Sequence, residues 1–384
     1  MRNFEFQNPV KLLFGEGQIS KISSEIDSKA RVLLTYGGGS IKRNGVYDQV
    51  KEALKDYKVI EFGGIEANPD YSTTKKAIDL CKNEKIDFIL AVGGGSVSDA
   101  TKFIAAGACY EGDSWDFVSK KVAITKALPL GVIMTMPATS SEMNNGGVIS
   151  RRETKEKWPF GSPVLFPKFA VLDPTTLRTL PKRQIANGLV DIYVHLVEQY
   201  LTTTDHYMAT DRLAEGLLKN LIELSPKLTS DSTTSYEDLA NYMLTATLGL
   251  NGWTGMGALQ DWATHMMGHE VTAIAGLDHG QTLAIIYPGT MDIMRDAKHD
   301  KLLQYAARVW NITEGSEEER INQAIEKTEQ YFINAGCKVR LSDYGLGKEI
   351  ANEVADRFKS RGYNIGENGI VTAEKVREIL LSRV

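Results

Sequence analysis

The sequence predicts two domains of different class: an α/β amino-terminal domain over residues 1–177, built on a mainly parallel sheet, and an all-α carboxy-terminal domain over 178–384. Three observations predict this. Up to about residue 172, short apolar runs alternate with helical patterns, the rhythm of a parallel sheet covered on both faces. Two of those runs end in Gly-Gly-Gly-Ser, at 37–40 and 93–96. From Thr175 onward nearly every segment has helical periodicity, broken by short polar joints such as LTSDSTTS at 228–235. A chain of 384 residues is also longer than one ordinary core supports.

Taken in order, FEFQNPVKLLFG (4–15) has strand-forming residues on both sides of Pro9 and closes at Gly15 and Gly17, which predicts an extended arm or a hairpin. RVLLTY (31–36), KVIEFG (58–63), FILAVG (88–93), LPLGVIMTMP (128–137) and FAVLDP (169–174) predict strands, and the stretches between them read mostly as helices. DPTTLRTLPKRQ, with Pro174 and Pro181, marks the crossing into the second domain.

The bulk numbers exclude some classes of function. The 44 basic and 49 acidic residues give a formal charge of −5, and no basic run is interleaved with aromatics, which argues against a nucleic-acid binder and for small-molecule partners. Cys81, Cys109 and Cys337 are far apart in sequence and form no Cys-x-x-Cys, so neither a disulfide framework nor a thiolate zinc site is expected. MRNFEFQNPV lacks a signal-peptide apolar core, and no stretch approaches eighteen uninterrupted apolar residues. The expectation is a cytoplasmic protein without a membrane partner.

The chemistry concentrates in two segments. In KRQIANGLVDIYVHLVEQYLTT (182–203) apolar residues cover most of the helix circumference, so the helix reads as buried, yet Asn187, Asp191 and His195 recur four apart on one face. Asp191 and His195 alone read equally well as a satisfied core pair. In the second segment His265 and His269 repeat the i, i+4 spacing, and His279 follows a Gly276–Leu277–Asp278 break. Four of the six histidines of the chain fall in these two segments, and one carboxylate with two or three imidazoles is a donor set that suits Fe2+ or Zn2+ with a position open for a substrate oxygen. By spacing alone His269 could be a further ligand. In AVGGGSVSDATKF (91–103), glycines and a serine between a strand and a helix offer backbone amides to a pyrophosphate; the same turn could serve merely as a tight connection, and the residues leave both readings open.

These segments together resemble the iron-containing (group III) alcohol dehydrogenases. DWATHMMGHEVTAIAGLDHGQTLAI (261–285) is closest to the branch of butanol dehydrogenases and NADPH-dependent aldehyde reductases, and the likeness runs from NPVKLLFG to YGLGKEIANEVADRF. The resemblance implies a dehydroquinate synthase-like fold whose first domain is Rossmann-like in binding a dinucleotide. It implies one divalent metal on Asp191, His195, His265 and His279, with His269 standing by as a proton relay that does not ligate. Gly94, Gly95, Ser96 and Asp99 match the family motif GGGS-x-x-D at the cofactor. Asn68, Thr135, Thr139, Lys157 and Leu177 match further cofactor contacts, and the family places the adenosine ribose at the first glycine turn.

At that first turn no acid occurs between Thr35 and Asn44. Gly38, Gly39 and Ser40 offer amides and a hydroxyl, and Lys42 and Arg43 add positive charge. An acid there would repel a 2′-phosphate, so NADP(H) is the expected cofactor, with NAD possible. The function implied is hydride transfer between NADPH and a primary aldehyde or alcohol such as butanal and butanol, by a homodimer joined through the amino-terminal arm. A zincin-type metallohydrolase would need Glu after His265, where Met266 stands. A lyase of the dehydroquinate synthase type shares the fold, but the wording around His265 favours the dehydrogenase. A nucleotide-binding sensor with a closed structural metal would show no turnover of any aldehyde.

Overall fold

The structure, a computed structural model, describes residues 1–202, 207–362 and 364–384. It divides into two compact units. Residues 7–180 form the α/β unit together with residues 234–247, while residues 1–6, 181–233 and 248–384 form the helical one. The main division falls between Leu180 and Pro181. Two short segments also join the unit other than the one their position in the chain suggests.

The α/β unit holds strands β1 (Lys11–Phe14), β2 (Arg31–Tyr36), β3 (Lys58–Phe62), β4 (Phe88–Gly94), β5 (Leu130–Met136), β6 (Gly146–Arg151), β7 (Glu156–Gly161) and β8 (Phe169–Leu172). Six of them make one sheet in the order β1-β8-β5-β4-β2-β3, every neighbour parallel. Val32, Leu33 and Leu34 in β2, and Ile89 to Val92 in β4, are fully buried, as central strands covered on both faces must be. Helices α1 (Val46–Ala53), α2 (Tyr71–Glu84), α3 (Gly95–Ala108) and the short α4 (Asp116–Ser119) fill the crossovers.

Strand order reverses between β2 and β4: the chain leaves β2 for β3 on one side and returns to place β4 on the other. Both Gly-Gly-Gly-Ser turns therefore lie at the carboxyl ends of the two strands that flank the switch point, where open α/β sheets bind ligands.

One open alternative is decided and one feature differs from the sequence expectation. The amino-terminal stretch forms no hairpin; only Lys11–Phe14 is a strand, and it adds to the sheet edge beside β8. Residues 146–161, expected as helix or loop, form the antiparallel hairpin β6–β7, with Gly146 opposite Gly161. Glycines and Pro159 hide the strand pattern, and buried side chains of α3 supply what holds it. Asp99 accepts from Val148 N at 2.9 Å, and Lys102 Nζ donates to Gly146 O at 2.6 Å.

The helical unit contains α5 (Lys182–Tyr200), α6 (Met208–Thr229), α7 (Tyr236–Gly249, whose first twelve residues belong to the α/β unit), α8 (Ala263–Ala275), α9 (His279–Ile293), α10 (His299–Val309), α11 (Glu317–Ala335), α12 (Lys348–Arg361) and α13 (Ala373–Leu381). Every residue of α5 from Ile185 to Tyr200 is buried, so its polar side chains must find partners inside the protein. Among the described residues no helix is long and apolar enough to cross a membrane.

Candidate metal centre and nucleotide turns

One face of α5 carries Asn187, Asp191, His195 and Glu198, and two other segments close on it. Helix α8 brings His265 and His269, and His279 is the first residue of α9. Asn187 Nδ2 donates to Asp278 Oδ2 at 2.9 Å, which ties α5 to the residue before His279. A Cβ on Gly280 would run into the Asn187 main chain, so glycine there permits the close approach of α9.

The three imidazoles converge on a single oxygen. His195 Nδ1, His265 Nε2 and His279 Nε2 stand 3.5, 3.7 and 3.7 Å from Asp191 Oδ1. Asp191, His195 and His265 are buried, and their ligand atoms all lie within 4.8 Å of one another. Atoms held about 2.1 Å from one ion at the tetrahedral angle stand about 3.4 Å apart, so the spacing fits a small divalent transition ion. His265 Nε2 is fully buried and has no hydrogen-bond partner, an orphan such an ion would satisfy. The His269 ring lies 5.2 Å from that of His279 and 6.5 Å from that of His265.

Two residues near this centre carry no signal in the spacing of the histidines. Glu198, three residues beyond His195, accepts from Thr264 N at 2.6 Å, from His265 N at 3.2 Å and from His265 Nδ1. Its signal was the same helix face, extended by one more step of 3.6 residues. Trp262 packs edge-on against His265 with ring centroids 5.1 Å apart, and its backbone is left-handed at φ 66°. Such a conformation is rare for a bulky residue and persists only where neighbours impose it. Asp261 beside it accepts from Ala263 N and from the buried Lys298, which also reaches Glu367.

In the α/β unit the turn after β4 enters α3 directly, with Gly95 as first helical residue and no room for a side chain there, since a Cβ would overlap Thr139. Ser96 Oγ accepts from Asn68 N at 3.3 Å, and Lys157 Nζ donates to Asn68 Oδ1 at 2.8 Å. Three residues matched from distant motifs thus meet beside one helix N-terminus, a place suited to a phosphate. Thr135, the last residue but one of β5, is buried, and Leu177 is buried in the turn after β8. Asp99 is buried below the turn, with Ser141 Oγ on one oxygen and Val148 N on the other. Burial raises the pKa of Asp99 and lowers that of Lys102 to about 8.

At the turn after β2, Gly38 has open space around it and Gly39 is left-handed at φ 87°. Lys42, from the following turn, is engaged: it lies about 5 Å from the Tyr36 and Tyr47 ring centres and 3.9 Å from Glu61 Oε2. Glu61, on the neighbouring strand, also accepts from Tyr36 and Tyr47 hydroxyls. Reading residues 35–44 alone could not reveal this acid, because β3 brings it alongside from outside the window.

Residues 9–174 match the family described as iron-containing alcohol dehydrogenase, and residues 185–384 match the carboxy-terminal part of the Fe-containing alcohol dehydrogenase family. The chain is 50% identical over 383 residues to the NADPH-dependent aldehyde reductase YqhD of Escherichia coli, covering 99% of each chain. It is 43% identical over 385 residues to the probable NADH-dependent butanol dehydrogenase 1 of Bacillus subtilis, again covering 99% of each. The crystal structure of Escherichia coli YqhD superposes with a TM-score of 0.98 at 49% identity, covering 100% of this chain and 99% of that one.

Burial alone would lower the pKa of His265, but the charges of Glu198 and Asp191 outweigh it and raise the pKa to about 9. A raised pKa means that the folded, metal-free protein holds the proton more tightly than the unfolded chain. The resulting stability is complete below about pH 6.5 and is lost as pH rises toward 9. Lys102, depressed to about 8, adds the opposite slope only above that pH. Thermal unfolding of chelator-treated protein should therefore show a midpoint that falls between pH 6.5 and 8, and zinc-loaded protein should not show this fall. A flat or rising midpoint in the metal-free sample would contradict the charge balance drawn here.

Proposed function

The chain belongs to the iron-containing alcohol dehydrogenase family, and on that basis we propose that it works mainly as an aldehyde reductase, linking NADPH to primary aldehydes such as butanal. The observation that carries the reading is the convergence of three imidazole nitrogens on Asp191 Oδ1. Asp191, His195, His265 and His279 would hold one Fe2+ or Zn2+ ion. When bound, that ion supplies Lewis acidity toward a carbonyl oxygen, and the nicotinamide supplies the hydride. Gly94, Gly95 and Ser96 would meet the pyrophosphate with main-chain amides, with Asn68 and Lys157 beside them. Thr135, Thr139 and Leu177 would border the nicotinamide side, and Asp99 would brace the turn from below.

We assign His269 the proton that the product oxygen requires. An imidazole suits that task because its ordinary pKa of about 6.5 lets a ring nitrogen give up and regain a proton near neutral pH. Gly38, Gly39 and Ser40 would receive the adenosine ribose and its 2′-phosphate. The relatives carry both preferences in their names, NADPH in the Escherichia coli reductase and NADH in the Bacillus subtilis protein. No acid stands within residues 35–44, Gly38 has open space around it, and the neighbouring Glu61 is engaged by Lys42, Lys51, Tyr36 and Tyr47, which favours the phosphate-bearing cofactor here, with NAD as the weaker substitute.

A cytoplasmic homodimer completes the reading. Cys81, Cys109 and Cys337 are free thiols. Met1, Phe4 and Phe6 of the arm are exposed apolar residues, and β1 leaves one sheet edge open. An open sheet edge and an exposed apolar arm are each features that a second copy would cover. Sedimentation at micromolar concentration reads the stoichiometry.

Gly38→Asp should lower kcat/KM for NADPH by about tenfold, the effect of about 1.4 kcal/mol of repulsion with the 2′-phosphate, and should spare NADH. Equal losses with both cofactors, or a wild type that prefers NADH, would contradict the assignment. His269→Ala should keep near-stoichiometric metal while kcat for butanal falls by roughly 10- to 1000-fold, the range of general acid–base contributions. Loss of the metal from this variant would make His269 a ligand instead.

A further inference from the structure

We propose that Glu198 is a positioning residue of the metal centre, holding His265 by Nδ1 so that the lone pair of Nε2 faces Asp191 and the ion. The inference rests on the metal reading and goes beyond its four ligands. Glu198 is 2% exposed, and its two oxygens have different tasks. Oε1 takes Thr264 N, while Oε2 takes both the main-chain N–H and the ring Nδ1–H of His265. One atom that grips the backbone and the ring of the same residue fixes both side-chain torsions. The Nδ1–H bond also selects the tautomer whose Nε2 is free to ligate.

A plain helix cap would explain only part of this. Helix α8 begins after Trp262, whose left-handed residue supplies no side-chain cap, so the two amide bonds of Glu198 do serve α8. The ring bond is additional and contributes nothing to the helix end. Charge points the same way. Asp191 and Glu198 flank the His265 ring from its two nitrogens, and their combined charge matches that of one divalent ion. A carboxylate behind a ligating imidazole also raises the basicity of that ligand, and removing such a partner weakens metal binding by about 10- to 100-fold.

The test is Glu198→Gln, read by competition of the protein with a chromophoric chelator for Zn2+ and by the visible absorption of the Co2+-substituted protein. Glutamine keeps an amide oxygen for the α8 amides but loses the charge and one acceptor. The expected result is a dissociation constant raised about 10- to 100-fold, with shifted Co2+ bands. Affinity within twofold of wild type and unchanged bands, with only a lower unfolding midpoint, would reduce Glu198 to a cap and overturn the inference while leaving the metal reading intact. A wild type that binds neither ion would overturn both. Should the variant fail to fold, zinc-loaded wild-type protein labelled with 15N-histidine decides the matter. A proton on His265 Nδ1 and none on Nε2 is expected, and the opposite tautomer overturns the inference.

Discussion

The structure of the helical unit turns on one constraint: a helix buried along its whole inner length carries two carboxylates that solvent cannot reach. Asp191 is 4% exposed and Glu198 2%. A buried carboxylate requires opposite charge or several hydrogen bonds, and the helix itself offers Asp191 only His195, 3.5 Å away. The partners come from α8 and α9, which are held at the distances that bring His265 and His279 to Asp191. Asn187 fixes the start of α9 through Asp278, and Glu198 fixes the start of α8 through two amides. Positions 187, 191, 195 and 198 thus assemble three segments around one oxygen. Packing and chemistry are the same set of contacts here.

The α/β unit solves a different problem, keeping a loop rigid while exposing its amides. The turn after β4 is stiff because the groups beneath it are engaged. Lys102 donates to Ser141 Oγ, Asn144 Oδ1 and Gly146 O, and Asp99 takes Ser141 and Val148. Residues 137–142 are braced further by the segment that returns late in the chain. Tyr242 donates to Pro137 O, Ser140 to Ala246 O, and Thr247 to the buried Glu142. A carbonyl and a left-handed serine are thereby satisfied, one oxygen of the buried acid is held, and Thr139 is set over Gly95.

How much of this could be read from sequence follows from how local each cause is. The central strands were legible because parallel strands buried on both faces need continuous apolar runs, and residues 31–36 and 88–94 have them. The histidine constellation was legible because i, i+4 spacing survives in the text. The β6–β7 hairpin was not, since what holds it is Asp99 and Lys102, some fifty residues earlier. Glu61 was invisible for the same reason: its place beside Lys42 is a matter of strand pairing. Residues 234–247 read as one more helix of the second domain, and nothing local in them shows that their contacts lie with the first. Glu198 stood on the right helix face all along, but a glutamate in a helix is ordinary until its partner is known.

Anomalous diffraction from crystals of protein purified without added metal, with data on both sides of the iron and zinc edges, shows whether these side chains hold a single divalent ion. One peak per chain is expected, bonded to Asp191, His195, His265 and His279, with His269 outside bonding distance. No peak there, in crystals regrown with either ion as well, or an ion held by His269 in place of His279, would contradict this ligand set.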